Sequence, residues 1–314
     1  MKTQSKFVKM IKITIFSFVT IFVGAGIFFI PKFPIGNNNN NANSVAFNPE
    51  APAVEQAKTL LRKICITGKC SAESPNLDPT FAARVGQACE ISRDQIRAYL
   101  MQSHINEWEV GGNLDLPVSS LTDANGNVQF AKYFVIHDTS YPRYSGSFPS
   151  NIDDESWEWN RLSRWVANVT HIFVNRIGDS KTTTPFNEGM TATKLERYVM
   201  GDGNSKGLYL HVELIQPRKA MKGYGRHNDV DAPTPGFTDL QYKRLALLYT
   251  VASVRKSAWL IPGFHAAVDN GIRYSHDDPQ NFELAKFFTA LNDLWAAIET
   301  PTLNSVKVGS GSGE

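Results

Sequence analysis

The sequence predicts an α/β fold, in which helices pack around a single β-sheet. Apolar residues alternate or cluster in three segments that we predict to be strands, at residues 128–137, 169–175 and 207–215. The capping signal Thr238-Asp239-Leu240-Gln241 predicts a long helix to about residue 259, and a last helix is predicted over residues 279–299. Strands that alternate with helices are typical of an α/β domain built on one sheet.

Further elements surround these. Val54, Ala57, Leu60, Leu61 and Ile64 recur at helical spacing, and Ser92-Arg93-Asp94-Gln95 has the pattern of a capping box that opens a helix to Gln102. We therefore predict a small helical extension over residues 53–120 and a main domain over residues 121–300. Within the main domain, residues 123–127 are predicted to form a turn and residues 157–166 a helix.

The N-terminus has the pattern of an export signal. The first 36 residues contain five lysines and no acidic residue, and residues 13–30 carry no charge. An apolar run of this length preceded by lysines predicts an uncleaved signal-anchor over residues 1–35, with a cleaved signal peptide as the alternative. Either interpretation implies export, as an inner-membrane-anchored domain facing the periplasm or cell wall or as a secreted protein. The Asn-rich residues 36–52 and the Gly/Ser-rich tail at 301–314 are predicted to be flexible.

The charge distribution bears on the partners of the protein, and the cysteines bear on its disulfides. Five of the 32 basic residues lie in the first 36 positions and all 30 acidic residues follow them, so the body of the chain is mildly acidic. A mildly acidic body without a basic stripe argues against nucleic acid as a partner. In an oxidising compartment Cys65 and Cys70 are predicted to form a small disulfide that leaves Cys89 over, although Cys89 could pair with one of them instead.

Three short stretches offer metal ligands. His137 ends a predicted strand, His265 follows Phe264, and Asp278 precedes Pro279. Two imidazoles and a carboxylate, with one position open, are the usual protein ligands of a catalytic zinc ion. Taken alone, His137 could equally cap a buried strand, and Asp278 before a proline fits a helix N-cap. The capping and ligand roles of Asp278 can coexist.

These stretches and the segments between them resemble the zinc-dependent N-acetylmuramoyl-L-alanine amidases of the second type. That family includes amidase-type phage lysozymes and animal peptidoglycan-recognition proteins. The similar segments follow the family order: FVIHDT at 134–139, THIFVNRIG at 170–178, LHVEL at 210–214, FTDLQY at 237–242, GFH at 263–265 and DPQNF at 278–282. The resemblance covers about residues 128–298, omits the helical extension and implies a central mixed sheet flanked by helices.

The resemblance also implies a site and a reaction. His137, His265 and Asp278 match the family's metal ligands, which implies Zn²⁺ as the cofactor. Glu213 matches an acidic residue that takes a proton from water and passes it to the leaving amine. His276 stands where many members carry a lysine and is predicted to polarise the scissile carbonyl. The implied substrate is peptidoglycan, cleaved at the amide between N-acetylmuramic acid and L-alanine.

The chain departs from the family pattern in places. The segment between His265 and Asp278 is longer than the family usually shows, which makes Asp269 and Asp277 rival third ligands. This departure keeps two alternatives open: a non-catalytic peptidoglycan-binding module of the same fold, and a zinc amide hydrolase that acts on another peptide. Thr170 stands where some members place a tyrosine beside the catalytic centre.

Other side chains are candidates for substrate binding. His211 is predicted to line the cleft or to support a metal ligand, and His171 either to face the cleft or to pack in the core. Arg226, in a loop at residues 223–227, is a candidate partner for a peptide carboxylate. A group of aromatic residues either stacks on sugar or belongs to the core: Tyr141, Tyr144, Trp157 and Trp159. His104 and His227 lie outside the matched segments and receive no role.

Overall fold

The computed structural model describes residues 47–65, 69–71, 73–166, 169–220, 230–273 and 275–300, without the side chains of residues 65, 69, 70, 220 and 230. The predicted signal-anchor, most of the Asn-rich linker, the tail and the loop carrying Arg226 lie outside these residues. The side chains of the predicted Cys65–Cys70 pair lie outside them as well. None of the helices in the described part of the chain has the length and apolarity needed to span a membrane.

The helices are α1 Ala53–Leu60, α2 Pro79–Arg84, α3 Arg93–Gln102, α4 Asp202–Ser205, α5 Asp239–Lys256, α6 His265–Val268 and α7 Leu284–Glu299. Short 3₁₀ turns occur at Glu107–Glu109, Glu158–Asn160 and Leu162–Arg164, and a π-helical turn at Leu195–Met200. The strands are β1 Ile64–Cys65, β2 Lys69–Cys70, β3 Ser120–Thr122, β4 Val128–Phe130, β5 Tyr133–Asp138, β6 Arg143–Tyr144, β7 Ile172–Val174, β8 Ser180–Thr182, β9 Tyr209–Leu214, β10 Arg218–Ala220, β11 Val230–Asp231 and β12 Ile261–Phe264.

The central sheet has five strands in the order β12-β5-β9-β7-β8. The first four strands run parallel, and β8 pairs antiparallel with β7. Every residue of β5 is buried, as expected of a parallel strand covered on both faces. The predicted α/β class and the mixed central sheet flanked by helices are confirmed.

The helices at residues 53–102 pack into the same hydrophobic core as the sheet. Leu60 of α1 is buried against β12, where a Cβ added to Gly263 would lie 2.9 Å from the Cβ of Leu60. Ile96 of α3 belongs to the same buried cluster as Phe134 of β5. The capping boxes predicted at Ser92 and Thr238 are both present, since each side-chain oxygen accepts a hydrogen bond from the backbone N–H three residues on.

Three predicted elements were wrong in extent or type. Residues 128–137 form two strands, because the chain leaves the β3–β4 hairpin at Ala131 and enters the central sheet as β5. Residues 157–166 form two 3₁₀ turns instead of a helix, and the Asn160 amide donates to the backbone carbonyls of Ile152 and Asp154. The last helix starts at Leu284, since Asn281 has a left-handed φ of 56° and its amide donates to the carbonyl of Pro233. Asp278 therefore does not cap that helix.

Candidate active site

The sheet topology brings the predicted site residues together at one edge. Strands β5, β9 and β12 are parallel neighbours, so their carboxyl ends meet at the same side of the sheet. His137 of β5 pairs in register with Glu213 of β9. Phe264 of β12 pairs with Ile136, so His265, the next residue, stands level with His137. Adjacent strands thus unite residues that are distant in sequence.

His137, His265 and Asp278 form a buried group that we call the His–His–Asp cluster. The Nδ1 atoms of the two histidines are 2.9 Å apart. Asp278 Oδ2 lies 3.1 Å from His265 Nδ1 and 3.6 Å from His137 Nδ1. The three side chains present one ligand atom each, all within 4.8 Å of one another, so the cluster could hold a metal ion.

The contacts of the two histidines show why a cation fits this point. His265 Nε2 lies 3.0 Å from Asp269 Oδ2, and His137 Nε2 lies 3.1 Å from His211 Nδ1. When these outer nitrogens donate, both inner Nδ1 atoms present lone pairs to each other, and a proton or a metal ion must lie between them. Two imidazole nitrogens and a carboxylate oxygen suit a divalent transition metal ion.

The pKa shifts of the two histidines are consistent with a positive charge between them. Burial, reinforced by His265, holds the pKa of His137 well below its ordinary value. Burial also opposes the charged form of His265, but Asp278 and Asp269 outweigh it and raise the pKa of His265 well above its ordinary value. These acids favour a proton on His265 in the absence of a metal ion, and a metal ion bound at the cluster would compete with that proton.

The rival third ligands face elsewhere. Asp269 accepts hydrogen bonds from the backbone N–H groups of Lys194 and Leu195, at 3.1 and 2.9 Å, while it contacts the outer nitrogen of His265. It orients that imidazole from behind. Asp277 accepts a hydrogen bond from the amide of Gln280. In the described part of the chain, Asp278 is the acid grouped with the two histidines.

Glu213 lies beside the cluster with its side chain largely buried. Its Oε1 is 3.9 Å from His137 Nδ1. Its Oε2 is buried and has no hydrogen-bond partner among the described residues. Burial, together with the negative charges of Asp278 and Asp138, raises the pKa of Glu213 well above its ordinary value. A raised pKa makes the carboxylate a stronger proton acceptor, which suits a group that takes up and returns a proton.

His276 forms part of the rim. Its side chain is 54% exposed, its Nδ1 lies 3.6 Å from Asp278 Oδ1, and its ring stacks on His265 with centroids 4.6 Å apart. Desolvation of the stacked ring lowers the pKa of His276, and His265 adds to this. The imidazole lines the pocket and can serve as a hydrogen-bond donor to a substrate oxygen.

Several residues of the site were missed by the sequence reasoning. The carboxylate of Asp138 forms a buried ion pair with Arg218, and its Oδ2 accepts a hydrogen bond of 3.1 Å from the backbone N–H of Gln280. The backbone N–H of Asp138 also donates to Asp278 Oδ2 at 3.3 Å. Asp138 follows His137 in the chain and could have been suspected, but nothing local marks Arg218 as its partner.

His211, in β9, and His171, which directly precedes β7, have different roles. His211 contacts His137 through Nδ1 and the buried Glu196 through Nε2, at 3.3 Å from Oε1. Glu196 is the other residue that sequence reasoning missed. His171 accepts a hydrogen bond at Nδ1 from the backbone N–H of His211 and donates from Nε2 to the carbonyl of Glu188. Burial lowers the pKa of His171 to about 3, so it is a neutral core residue.

The cluster opens into a pocket of about 470 Å³, a size suited to a small-molecule or peptide ligand. Its wall includes Glu213, His276, Arg143 and Arg197. A smaller apolar pocket of about 220 Å³ adjoins it and shares Thr139, Val169 and Glu213 with it.

The predicted aromatic group divides between the pocket and the core. Tyr141 is 47% exposed, lines the larger pocket and packs on Trp159 at 4.8 Å between ring centroids. Trp157 is buried, and its Nε1 donates to the Tyr144 hydroxyl at 3.2 Å. Tyr141 therefore remains a candidate for sugar stacking, whereas Trp157 is a core residue.

No known family model, curated protein or solved structure matches this chain.

Proposed function

We propose that the protein is a zinc-dependent hydrolase that cleaves the amide between N-acetylmuramic acid and L-alanine in peptidoglycan. One observation carries the proposal: His137, His265 and Asp278 meet Glu213 and His276 at one open pocket. These are the five residues for which the sequence resemblance implied roles, and they come from separate segments between residues 137 and 278.

The metal would be held by His137 Nδ1, His265 Nδ1 and a carboxylate oxygen of Asp278. Zinc in such a site supplies Lewis-acid polarisation of the substrate carbonyl and makes water more acidic. Asp269 and His211 contact the outer nitrogens of the two histidines, so both rings are oriented before a metal arrives. Asp138 contributes its backbone N–H to the orientation of Asp278.

The protein's own groups account for the proton movements of hydrolysis. Water adds its hydroxyl group to the lactyl carbonyl carbon, and Glu213 takes the remaining proton. The carbon–nitrogen bond then breaks, and Glu213 returns this proton to the amine of L-alanine, so a carboxylic acid and a free amine result. The raised pKa of Glu213 suits this exchange. His276, at the rim, donates a hydrogen bond to the carbonyl oxygen as negative charge develops there.

The test is digestion of purified peptidoglycan sacculi by the full chain with zinc. The expected products are stem peptides that carry a new N-terminal L-alanine, identified by mass spectrometry and amino-terminal labelling. Glu213→Gln should keep the metal and lose about 10²–10⁴-fold in rate. Glu55→Gln, an exposed acid of α1, is the matched control and should retain full activity.

The outcome separates the alternatives. Binding to sacculi without release of peptides would support the non-catalytic module. A new amino terminus other than L-alanine, or cleavage of unrelated peptides alone, would support a different zinc amide hydrolase.

The proposed substrate, peptidoglycan, requires that the protein is exported. The lysine-flanked apolar run at residues 13–30 supports it. Fusion of a periplasm-dependent reporter enzyme after residue 46 should give activity, and an inactive reporter would contradict export.

A further inference from the structure

The outer nitrogen of His137 is the start of a buried chain of polar contacts that leads away from the pocket. His137 Nε2 lies 3.1 Å from His211 Nδ1, and His211 Nε2 lies 3.3 Å from Glu196 Oε1. His211 and Glu196 are fully buried, and neither lines the pocket. These two residues, which we call the positioning pair, therefore touch neither substrate nor solvent.

Glu196 is fixed as an acceptor. Its Oε2 accepts hydrogen bonds from the backbone N–H groups of Ala192 and Thr193 and from the Thr193 hydroxyl, at 3.1, 2.9 and 2.9 Å. Several hydrogen bonds to one carboxyl oxygen favour the charged carboxylate form of Glu196. A carboxylate has only acceptor oxygens, so it requires a donor at His211 Nε2.

The direction of each hydrogen bond then follows. With His137 facing the metal through Nδ1, its proton lies on Nε2, and His211 accepts that hydrogen bond at Nδ1 while it donates from Nε2 to Glu196. His137 then has its lone pair on Nδ1, the atom that faces His265 and Asp278.

We propose that Glu196 and His211 are positioning residues that hold His137 in the tautomer whose Nδ1 lone pair faces the metal. The inference rests on the proposed metal site and adds to it a support that begins on the π-helical turn at Leu195–Met200. The outer nitrogen of His265 contacts the carboxylate of Asp269 directly. The outer nitrogen of His137 contacts His211, and His211 in turn contacts the carboxylate of Glu196. Such supporting contacts fix both ring orientation and tautomer at metal-binding histidines.

Glu196→Gln tests this by replacing one carboxylate oxygen, which accepts a hydrogen bond, with an amide group, which donates one. The glutamine oxygen can replace Oε2 and keep the hydrogen bonds from Ala192 and Thr193. Its amide then faces His211 Nε2 as a donor, so His211 must accept there and carry its proton on Nδ1. His137 in turn must carry its proton on Nδ1, where it obstructs the metal. Zinc affinity should fall about 10–100-fold, measured by competition with a chromophoric chelator.

A second substitution supplies the rescue. In His211→Asn, the asparagine oxygen can take the place of Nδ1 and accept from His137 Nε2, and no imidazole remains to be inverted. The double variant Glu196→Gln/His211→Asn should bind zinc more tightly than Glu196→Gln alone. If the pair serves only to fill the core, removing a second buried side chain should give no recovery of zinc affinity.

The tautomers are read directly by long-range ¹H–¹⁵N NMR of the imidazole nitrogens in the metal-free full chain. The wild type should show protonated Nε2 on both His137 and His211, and Glu196→Gln should show protonated Nδ1. A wild-type His137 protonated at Nδ1 alone would overturn the inference, as would unchanged tautomers and zinc affinity in Glu196→Gln. If the wild type binds no zinc, the proposed function fails, while these spectra still decide whether the positioning pair acts as inferred.

Discussion

Asp278→Asn, compared with Asp277→Asn, is the sharpest test of the metal site. The two acids are adjacent and both almost fully buried, but only Asp278 faces the two Nδ1 atoms, at 3.1 and 3.6 Å. Asp277 instead contacts the Gln280 amide. Replacing each with asparagine preserves shape and removes one charge, so the pair isolates the contribution of a ligand oxygen from that of a nearby buried acid.

The magnitude follows from the number of ligands. Zinc binding to a four-ligand protein site is worth roughly 10–16 kcal/mol, so one ligand accounts for about 3 kcal/mol, or a factor of about 200 in Kd. At free zinc near 1,000 times the wild-type Kd, zinc stabilises the wild type by about 4 kcal/mol. With Kd raised about 200-fold, the same zinc concentration stabilises Asp278→Asn by only about 1 kcal/mol.

The assay is thermal and denaturant unfolding of each protein with zinc and with a chelator. The measured quantity is the zinc-dependent gain of each protein, because asparagine at position 278 also changes the metal-free stability by removing a partner of His265. A lost gain of about 3 kcal/mol corresponds to roughly 6–12 °C in Tm for a domain of this size. The reasoning is refuted if Asp277→Asn loses the zinc response and Asp278→Asn keeps it, or if the wild type gains no stability from zinc.

Three further predictions concern the surrounding fold. His171 is held neutral with a pKa of about 3 against an ordinary 6.5, so the unfolded chain binds the extra proton and stability falls as the pH drops through this range. Between about pH 6.5 and pH 4 the wild type should lose up to about 3 kcal/mol more unfolding free energy than His171→Asn, measured by urea titration, and equal losses would contradict the burial argument. Burial raises the pKa of the Cys89 thiol to about 12, so in a Cys65→Ser/Cys70→Ser background it should react slowly with a disulfide reagent at about pH 8 until the chain is unfolded, and rapid reaction of the folded protein would disprove this. Leu60→Ala should cost about 2–5 kcal/mol of unfolding free energy because Leu60 fills the space over Gly263, and a cost below about 1 kcal/mol would show that α1 packs loosely on β12.

The sequence predicted the elements whose signals are local. The capping boxes at Ser92 and Thr238, the buried strand around Leu210 and the end of β5 could all be recognised within a few residues, whereas no strand was predicted at β12. The grouping of His137, His265 and Asp278 was predictable because each stands at the end of a strand or loop and because the segments resemble a family order.

The missed features depend on tertiary contacts. The segment 157–166 has a helix-like run of residues, but the Asn160 amide binds backbone carbonyls of a preceding loop, and this contact leaves no local signal. Asp278 before a proline looks like a cap, while its side chain is instead drawn to the two histidines. The pairs His211–Glu196 and Asp138–Arg218 join different elements of the fold, and one sequence offers no means of pairing them.

The pairing of β12 with β5 also affects how the protein is made. His137 is synthesised 128 residues before His265, and Asp278 follows 13 residues later. A nascent or truncated chain that ends before residue 261 lacks the edge strand β12 and two of the three residues of the His–His–Asp cluster. The His–His–Asp cluster therefore cannot assemble until synthesis has passed residue 278, and shorter products of translation lack the group of side chains that could hold a metal ion.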